Sequence, residues 1–445
     1  MENNEVVHYI LKHDNVKSIY MVFIVSASVF LDVWDLTAFS FVLTFFKATF
    51  LPTGILLGLS VAGANVGAIA GAILGGYLTD YLGRKRMLIY NMVVFTIFAF
   101  LIAISTNLYE FTIFRIIMGF SIGADVATGF SYIYEYISLR QRTRFYSLWA
   151  YSFAVVALMA VLTVFLLYRS INNIIIWRYI FVIGGIFAAI ILILRSKLKE
   201  TPIWLYYNGD SRGAETTIKD VYGDTLIIDK QDKQKRSLMD IARVYRSGLN
   251  KEIIFTYSLN CIVGFIGWGF AFYITYMLTI LHFISFGQIL EADAVIYFFG
   301  FLGAIVSPHI SKKFGIYKGS VIPSIIATIS LFLLFIVFSK ALPDYFIIPL
   351  SAAILFFNYA GPMAYNAVLN SFIPSRIRGT ANGQNYMVNK IVEASSGFAG
   401  GFLLIAIGLK YNTLVLAIIV SLFVLIAYIT GKSRYFDSNA ERMHG

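Results

Sequence analysis

Long apolar runs separated by short polar breaks recur from one end of this chain to the other. Each run is about 20 residues or more, the length that carries an α-helix across a bilayer. The pattern predicts helices at 19–46, 54–79, 86–106, 110–137, 144–168, 174–195, 251–281, 286–310, 318–339, 344–371, 380–408 and 412–431. The expected fold is an all-α membrane protein: twelve transmembrane helices in two six-helix halves. The expected units are an N-terminal bundle over 1–195, a linker over 196–250, and a C-terminal bundle with a short tail over 251–445. In the linker, Ser237 followed by Asp240 resembles a capping box before an amphipathic run. A short helix is expected there, and a solvated linker over most of the rest. In the second run, Gly63, Gly67, Gly71 and Gly75 fall every fourth residue, a small-residue stripe for close helix packing.

Composition strengthens the membrane reading. The 445 residues are 59% hydrophobic and only 13% charged, against about a quarter charged in soluble domains. A net charge of +11 could point to nucleic acid, but its distribution points elsewhere. Most lysines and arginines fall in alternate loops, while the intervening loops are nearly bare. That asymmetry is the positive-inside pattern, and it predicts both termini in the cytoplasm. The lone Cys261 allows no internal disulfide, and the five histidines are scattered, so no metal cluster is expected.

The two halves echo each other. GGYLTDYLGRKRM follows the second helix and SPHISKKFGIYKGS follows the eighth; EYISLRQRTR follows the fourth and SFIPSRIRGT the tenth. Arg140 and Arg142 in the first half match Arg376 and Arg378 in the second. Six-helix repeats of this kind place a binding site between the halves near mid-membrane. With Gly76, Asp80, Gly83, Arg84, Lys85 and Arg86 in register, GGYLTDYLGRKRM resembles the signature loop of the major facilitator superfamily. Gly83 permits the tight turn, and Asp80 can pair with a basic neighbour to latch a half in one state. The second copy is degenerate: Lys312 replaces the Asp and Ile316 the first Arg.

Ionisable residues inside membrane helices are functional candidates by default. Asp32 and Asp35 lie three apart in the first helix, so they share a face, expected to look into the protein or a wet cavity. The fourth helix carries Arg115 near its outer end, Asp125 about 15 Å further along, expected near mid-membrane, and Glu135 at the end beside Arg140 and Arg142. The eleventh carries Lys390 and Glu393, which either pair with each other or leave Lys390 to face Asp32 or Asp35 across the bundle.

These three segments resemble the phosphate:proton symporters of the superfamily. Asp32-Val33-Trp34-Asp35 matches that branch's Asp-x-aromatic-Asp; Arg115, Gly119, Gly123, Asp125 and Glu135 match its fourth helix; Pro374, Arg376, Arg378 and Lys390 match a later block. The resemblance implies proton coupling at Asp32, Asp35 and Asp125. It fails at Val126, Ala127, Gly269 and Met363, where the branch has Tyr, Pro, Asp and Asn. The branch's phosphate contacts are therefore missing, and the lining candidates are Lys390, Arg115, Trp268, Tyr273, Asn358, Tyr365, Asn366 and Asn385.

The function expected is proton-coupled symport of a small polar, anionic solute by alternating access, in the cell membrane. A sugar or polyol symporter and a proton-driven drug exporter are the alternatives. No phosphate-binding GxxxxGK[ST] loop is present, so the proton gradient is the expected drive, without a cofactor. The expected partners are a small-molecule substrate, protons and the lipid bilayer, with no nucleic acid, for a monomeric carrier and not an enzyme.

Overall fold

The computed structural model describes residues 5–13, 15–171, 173–228, 250–280, 285–340, 342–362, 369 and 378–432, with the side chains at 139–154 and 378–382 outside that description. Tyr365, Asn366, Arg376, Pro374, Met363, Ser237 and Asp240 lie outside the described residues, as do the side chains of Arg140, Arg142 and Arg378.

The described residues are almost wholly helical. A short α1 (Glu5–Lys12) precedes six long helices: α2 (Val16–Phe50), α3 (Gly54–Leu82), α4 (Arg84–Ile104), α5 (Leu108–Tyr134), α6 (Leu139–Ile171) and α7 (Ile176–Ser196). Polar caps set their starts. Asn15, Thr53 and Asn107 each accept a backbone N–H from the first turn of the helix that follows, satisfying donors with no partner inside the helix. Gly83 ends α3 at φ +100°, in the left-handed region that glycine tolerates.

Close backbone approach governs the packing of α3 on α5. A Cβ at Gly67 or Gly71 would fall on the carbonyls of Ile116 and Phe120, and one at Gly119 or Gly123 on those of Ala64 and Ala68. The stripe on α3 therefore meets a matching stripe on α5. Gly76, by contrast, has open space beside it.

The second half departs from its expected outline in two places. The single helix expected over 251–281 is α10 (Asn250–Gly264), a π-helical turn over Phe265–Phe270, a 3-10 turn over Ala271–Tyr273, and then α11 (Ile274–Ile280). Gly264, Gly267 and Gly269 weaken the regular helix here, and such wide turns mark sites of local distortion. The helices expected at 286–310 and 318–339 run together as α12 (Phe286–Ser339), turning only at Gly315, φ +76°. A helix of 54 residues would be about 80 Å long, so the turn lets it cross twice. Gly315 thus repeats in the second half what Gly83 does in the first. Then follow α13 (Ile347–Ala360), α14 (Arg378–Ala406) and α15 (Gly408–Thr430). Counting α12 as two and α10 with α11 as one, the described residues form two sets of six long helical segments.

The gap between the halves is more ordered than its polarity indicates. α8 (Pro202–Tyr207) and α9 (Ser211–Tyr222) occupy what was expected to be solvated linker. Ala214, Ile218 and Ile228 bury against Val6 and Ile10 of α1. The apolar positions are too few for a membrane run, but they suffice for a small core beside the bundle.

The α3–α5 crossing generates a prediction. Gly71→Val should cost at least about 3 kcal/mol, because the obstacle is backbone that cannot repack. The check is the thermal midpoint of detergent-solubilised protein; Gly76→Val, in open space, is expected to melt like wild type.

Candidate functional site

Asp32 lies near the middle of α2, buried where the two halves meet. From the other half, Lys390 on α14 places its ammonium 3.1 Å from Asp32 Oδ1 and 3.3 Å from Oδ2. The Tyr386 hydroxyl donates to Oδ2 at 3.1 Å. Lys390 also reaches Glu393, one turn further along its own helix, at 2.9 Å. Both readings of Lys390 thus hold at once: it faces Asp32 across the bundle and pairs along α14. Trp268, from the π-helical turn, is buried and stacks on the Phe272 ring.

Asp35 does not share this partner. Its Oδ2 meets Arg115 of α5 at 3.0 Å, inside the first half. The guanidinium is fully buried and lies over the Phe39 ring at 4.4 Å. Asp35 Oδ1 and Arg115 Nε and Nη1 have no hydrogen-bond partner. The two aspartates were expected to be tolerated by facing a wet cavity. Here each is tolerated because it has its own buried cation.

Asp125 lies nine residues from the end of α5, about 13 Å along the helix. Its partner is Arg195 in the last turn of α7, at 2.5 Å and 3.0 Å to the two carboxylate oxygens. Arg195 also donates to the backbone carbonyls of Leu88 and Val25. Arg195 was not singled out by its sequence, yet it is fully buried. The signal was available: an arginine inside the final turn of an apolar helix, on the same side of the chain as an acidic residue in a neighbouring span.

Around the central pairs lies an amide cluster. Asn260 of α10 donates to Asn385 and accepts from Asn389 at 2.8 Å. Asn358 Oδ1 and Asn65 Nδ2 are buried without a hydrogen-bond partner. On α3, Val61 and Ala72 face Gly397 and Gly383 of the antiparallel α14. Asn65, between them, therefore lies near the level of Lys390 and Glu393. Tyr273 is less available than expected: its hydroxyl donates to the Gly397 carbonyl at 2.5 Å, and its ring packs on Gly400.

The signature turn forms a separate clamp within the first half, at the face of the bundle that carries the basic turns. Arg84 is buried and pairs with Asp80 at 3.0 Å and Glu135 at 2.8 Å. The Thr201 hydroxyl donates to Glu135. Glu200 accepts the backbone N–H groups of Arg84 and Lys85, each at 3.1 Å. Burial pushes the Glu200 carboxyl above its usual range, against the downward pull of its N–H bonds and Arg84. Lys85 contributes backbone here, and Arg86 is exposed. Glu135, expected beside Arg140 and Arg142, is held by Arg84.

Residues 16–441 match the model of the sugar (and other) transporter family. A putative metabolite transport protein of Escherichia coli, YaaU, is 27% identical over 36% of this chain and 36% of its own. The glucose transporter GlcP of Staphylococcus epidermidis is 28% identical over 37% of this chain and 35% of its own. The chain thus spans about a third of the length of these two relatives. A probable 4-methylmuconolactone transporter of Cupriavidus pinatubonensis is 25% identical over 85% of this chain and 82% of its own. Among solved structures, a partially occluded inward-open conformation of the xylose transporter XylE from Escherichia coli superposes with a TM-score of 0.78. It is 20% identical and covers 92% of this chain and 97% of that one. The fold is that of the major facilitator superfamily.

The buried Asp125–Arg195 pair makes a prediction that separates a structural from a titrating role. Asp125→Ala should destabilise the protein by about 3–5 kcal/mol, because it strands a buried guanidinium. Combining Asp125→Leu with Arg195→Met should recover most of that loss in a thermal melt. If the single variant melts like wild type, the pair is not what holds α5 to α7.

Proposed function

The chain belongs to the sugar (and other) transporter family, and we propose that it is a proton-coupled symporter of a small, uncharged, hydroxyl-bearing organic solute. The observation that carries the reading is the state of the buried cations. Arg115, Arg195 and Lys390 are each already held by carboxylates. None is left to neutralise an anion, whose burial without a partner costs far more than that of a neutral polar group. This disfavours the anionic solute expected from the resemblance to phosphate symporters. The partnerless amide atoms of Asn65 and Asn358 instead suit a solute with hydroxyl groups, because buried amides are normally hydrogen-bonded. The likeness to a glucose transporter and to a xylose transporter supports the same class.

Asp32 is the proton carrier in this reading. Lys390 is shared between Asp32 on one half and Glu393 on its own. A proton on Asp32 removes its pull on Lys390, which stays with Glu393. The ionic tie between the halves is then gone, and they rock about the loaded site. Losing the proton restores the tie. A ligand shifts such an equilibrium only by its differential affinity for the two states, and a solute bridging Asn65 of α3 and Asn358 of α13 binds only when both halves close on it. Asp35 and Asp125, expected to share the proton role, serve here as ion-pair partners inside the first half. The face carrying Arg84 and the other basic turns is cytoplasmic by the positive-inside rule, the carrier works in the cell membrane as a single chain, and the proton gradient alone drives it.

Purified protein in proteoliposomes with a trapped pH dye tests this. Neutral sugars or polyols are expected to carry protons inward, whereas phosphate and small carboxylates are not. Asp32→Asn should retain solute counterflow but lose accumulation against a gradient. Undiminished accumulation in that variant, or proton flux triggered only by anions or by the lactone class, would overturn the reading.

A further inference from the structure

One buried carboxyl takes no part in these pairs and was not singled out by its sequence. Asp293 lies in the third turn of α12, about 10 Å below the helix start, and is fully buried. Its Oδ2 accepts the Thr275 hydroxyl at 2.7 Å, and its Oδ1 has no hydrogen-bond partner. Thr275 belongs to α11, the regular stretch that resumes after the π-helical break. One turn on from Asp293, the Tyr297 hydroxyl donates to the Ala271 carbonyl at 3.2 Å. Two hydrogen bonds thus clip the broken segment 271–275 onto α12. The same stretch of α12 touches the first half: the Tyr297 ring meets Phe41 edge-on at 5.4 Å, and Phe286 meets Phe45 at 4.9 Å.

Among the described residues, no charged group pairs with Asp293. On its own helix, the neighbouring Glu291 is exposed and Tyr297 is committed to Ala271. On the broken segment, Tyr273 is committed to Gly397, and Tyr276 accepts from Lys47 of α2 at 2.7 Å. On α13, the Tyr359 ring packs against α12 at Gly300. On α6, Tyr168 meets Phe286 edge-on at 5.1 Å, and Arg169 covers the Phe165 ring. A bare carboxylate in such a place is expensive to bury, whereas the neutral acid loses only one weakly used acceptor.

We propose that Asp293 is a second proton-binding site, at the mouth opposite the basic face, and that the proton it holds keeps segment 271–280 docked on α12. When the halves part there, water reaches the carboxyl; ionised, it cannot be reburied until a proton returns. The site controls closure of that mouth, and it is separate from the Asp32–Lys390 tie at mid-membrane. The proposal rests on the fold and burial alone and does not require the solute assignment.

Two readouts on lipid-reconstituted protein test it, neither needing a transported solute. Infrared spectra at neutral pH should contain a protonated-carboxyl band that Asp293→Asn removes and Thr275→Val moves to higher frequency, its hydrogen bond being lost. Spin labels at the exposed positions Leu51 and Tyr345 report the mouth. Their separation should lengthen as pH rises in wild type, and stay short at every pH in Asp293→Asn. An unaltered carboxyl band in Asp293→Asn, or a label separation with the same pH dependence in wild type and variant, overturns the proposal. If no solute moves protons while both readouts behave as stated, the transport reading fails and this one stands.

Discussion

A lysine that has two carboxylates to choose from sits where the halves of this protein meet. Among the described residues, Lys390–Asp32 is the ion pair that crosses from one six-helix set to the other, and Glu393 offers the same ammonium a partner on its own helix. In a low-dielectric interior, neither carboxylate nor ammonium can be left alone. The halves are thus held together by a demand for neutrality that protonation of one oxygen pair can cancel. Helix-to-helix packing positions this choice but does not make it.

The other buried ion pairs described in the first half keep that choice local. Arg115 occupies Asp35, and Arg195 occupies Asp125, so neither guanidinium competes for Asp32. The Arg84 clamp holds the α3–α4 turn to the end of α5 and to the segment after α7. The first half can then move as one body. The glycine contacts of α3 with α5 serve the same end by steric means: two backbones in contact leave no room for independent sliding.

Legibility varied with how local the cause was. The spans, the two-half repeat and the turn at Gly83 follow from runs of apolar residues and from single residues with special backbone freedom, and both kinds of cause act within a few positions. The acidic residues of α2 and α5 were visible for the same reason: a charge in an apolar run stands out. Their partners were not. Arg195 was hidden because only the packing of α7 against α2 and α4 buries it and brings it to Asp125. Asp293 stood out less because its surroundings, FGQILEADAVIY, are less apolar than a span centre. The helices α8 and α9 were hidden because their small apolar faces are completed by α1, some two hundred residues away.

By itself, then, the sequence determined a twelve-span carrier fold, the positions of its turns and the presence of membrane-buried charge, since each depends on local hydrophobicity or backbone permission. Tertiary structure alone decided which cation belongs to which carboxylate: that Asp32 and Asp35 part ways despite sharing a turn, and that Arg115, Arg195 and Lys390 each already have an acidic partner. Those are questions of proximity between distant segments. Coulomb interactions in a low dielectric depend on a few ångströms of separation, which the order of residues along a chain does not specify.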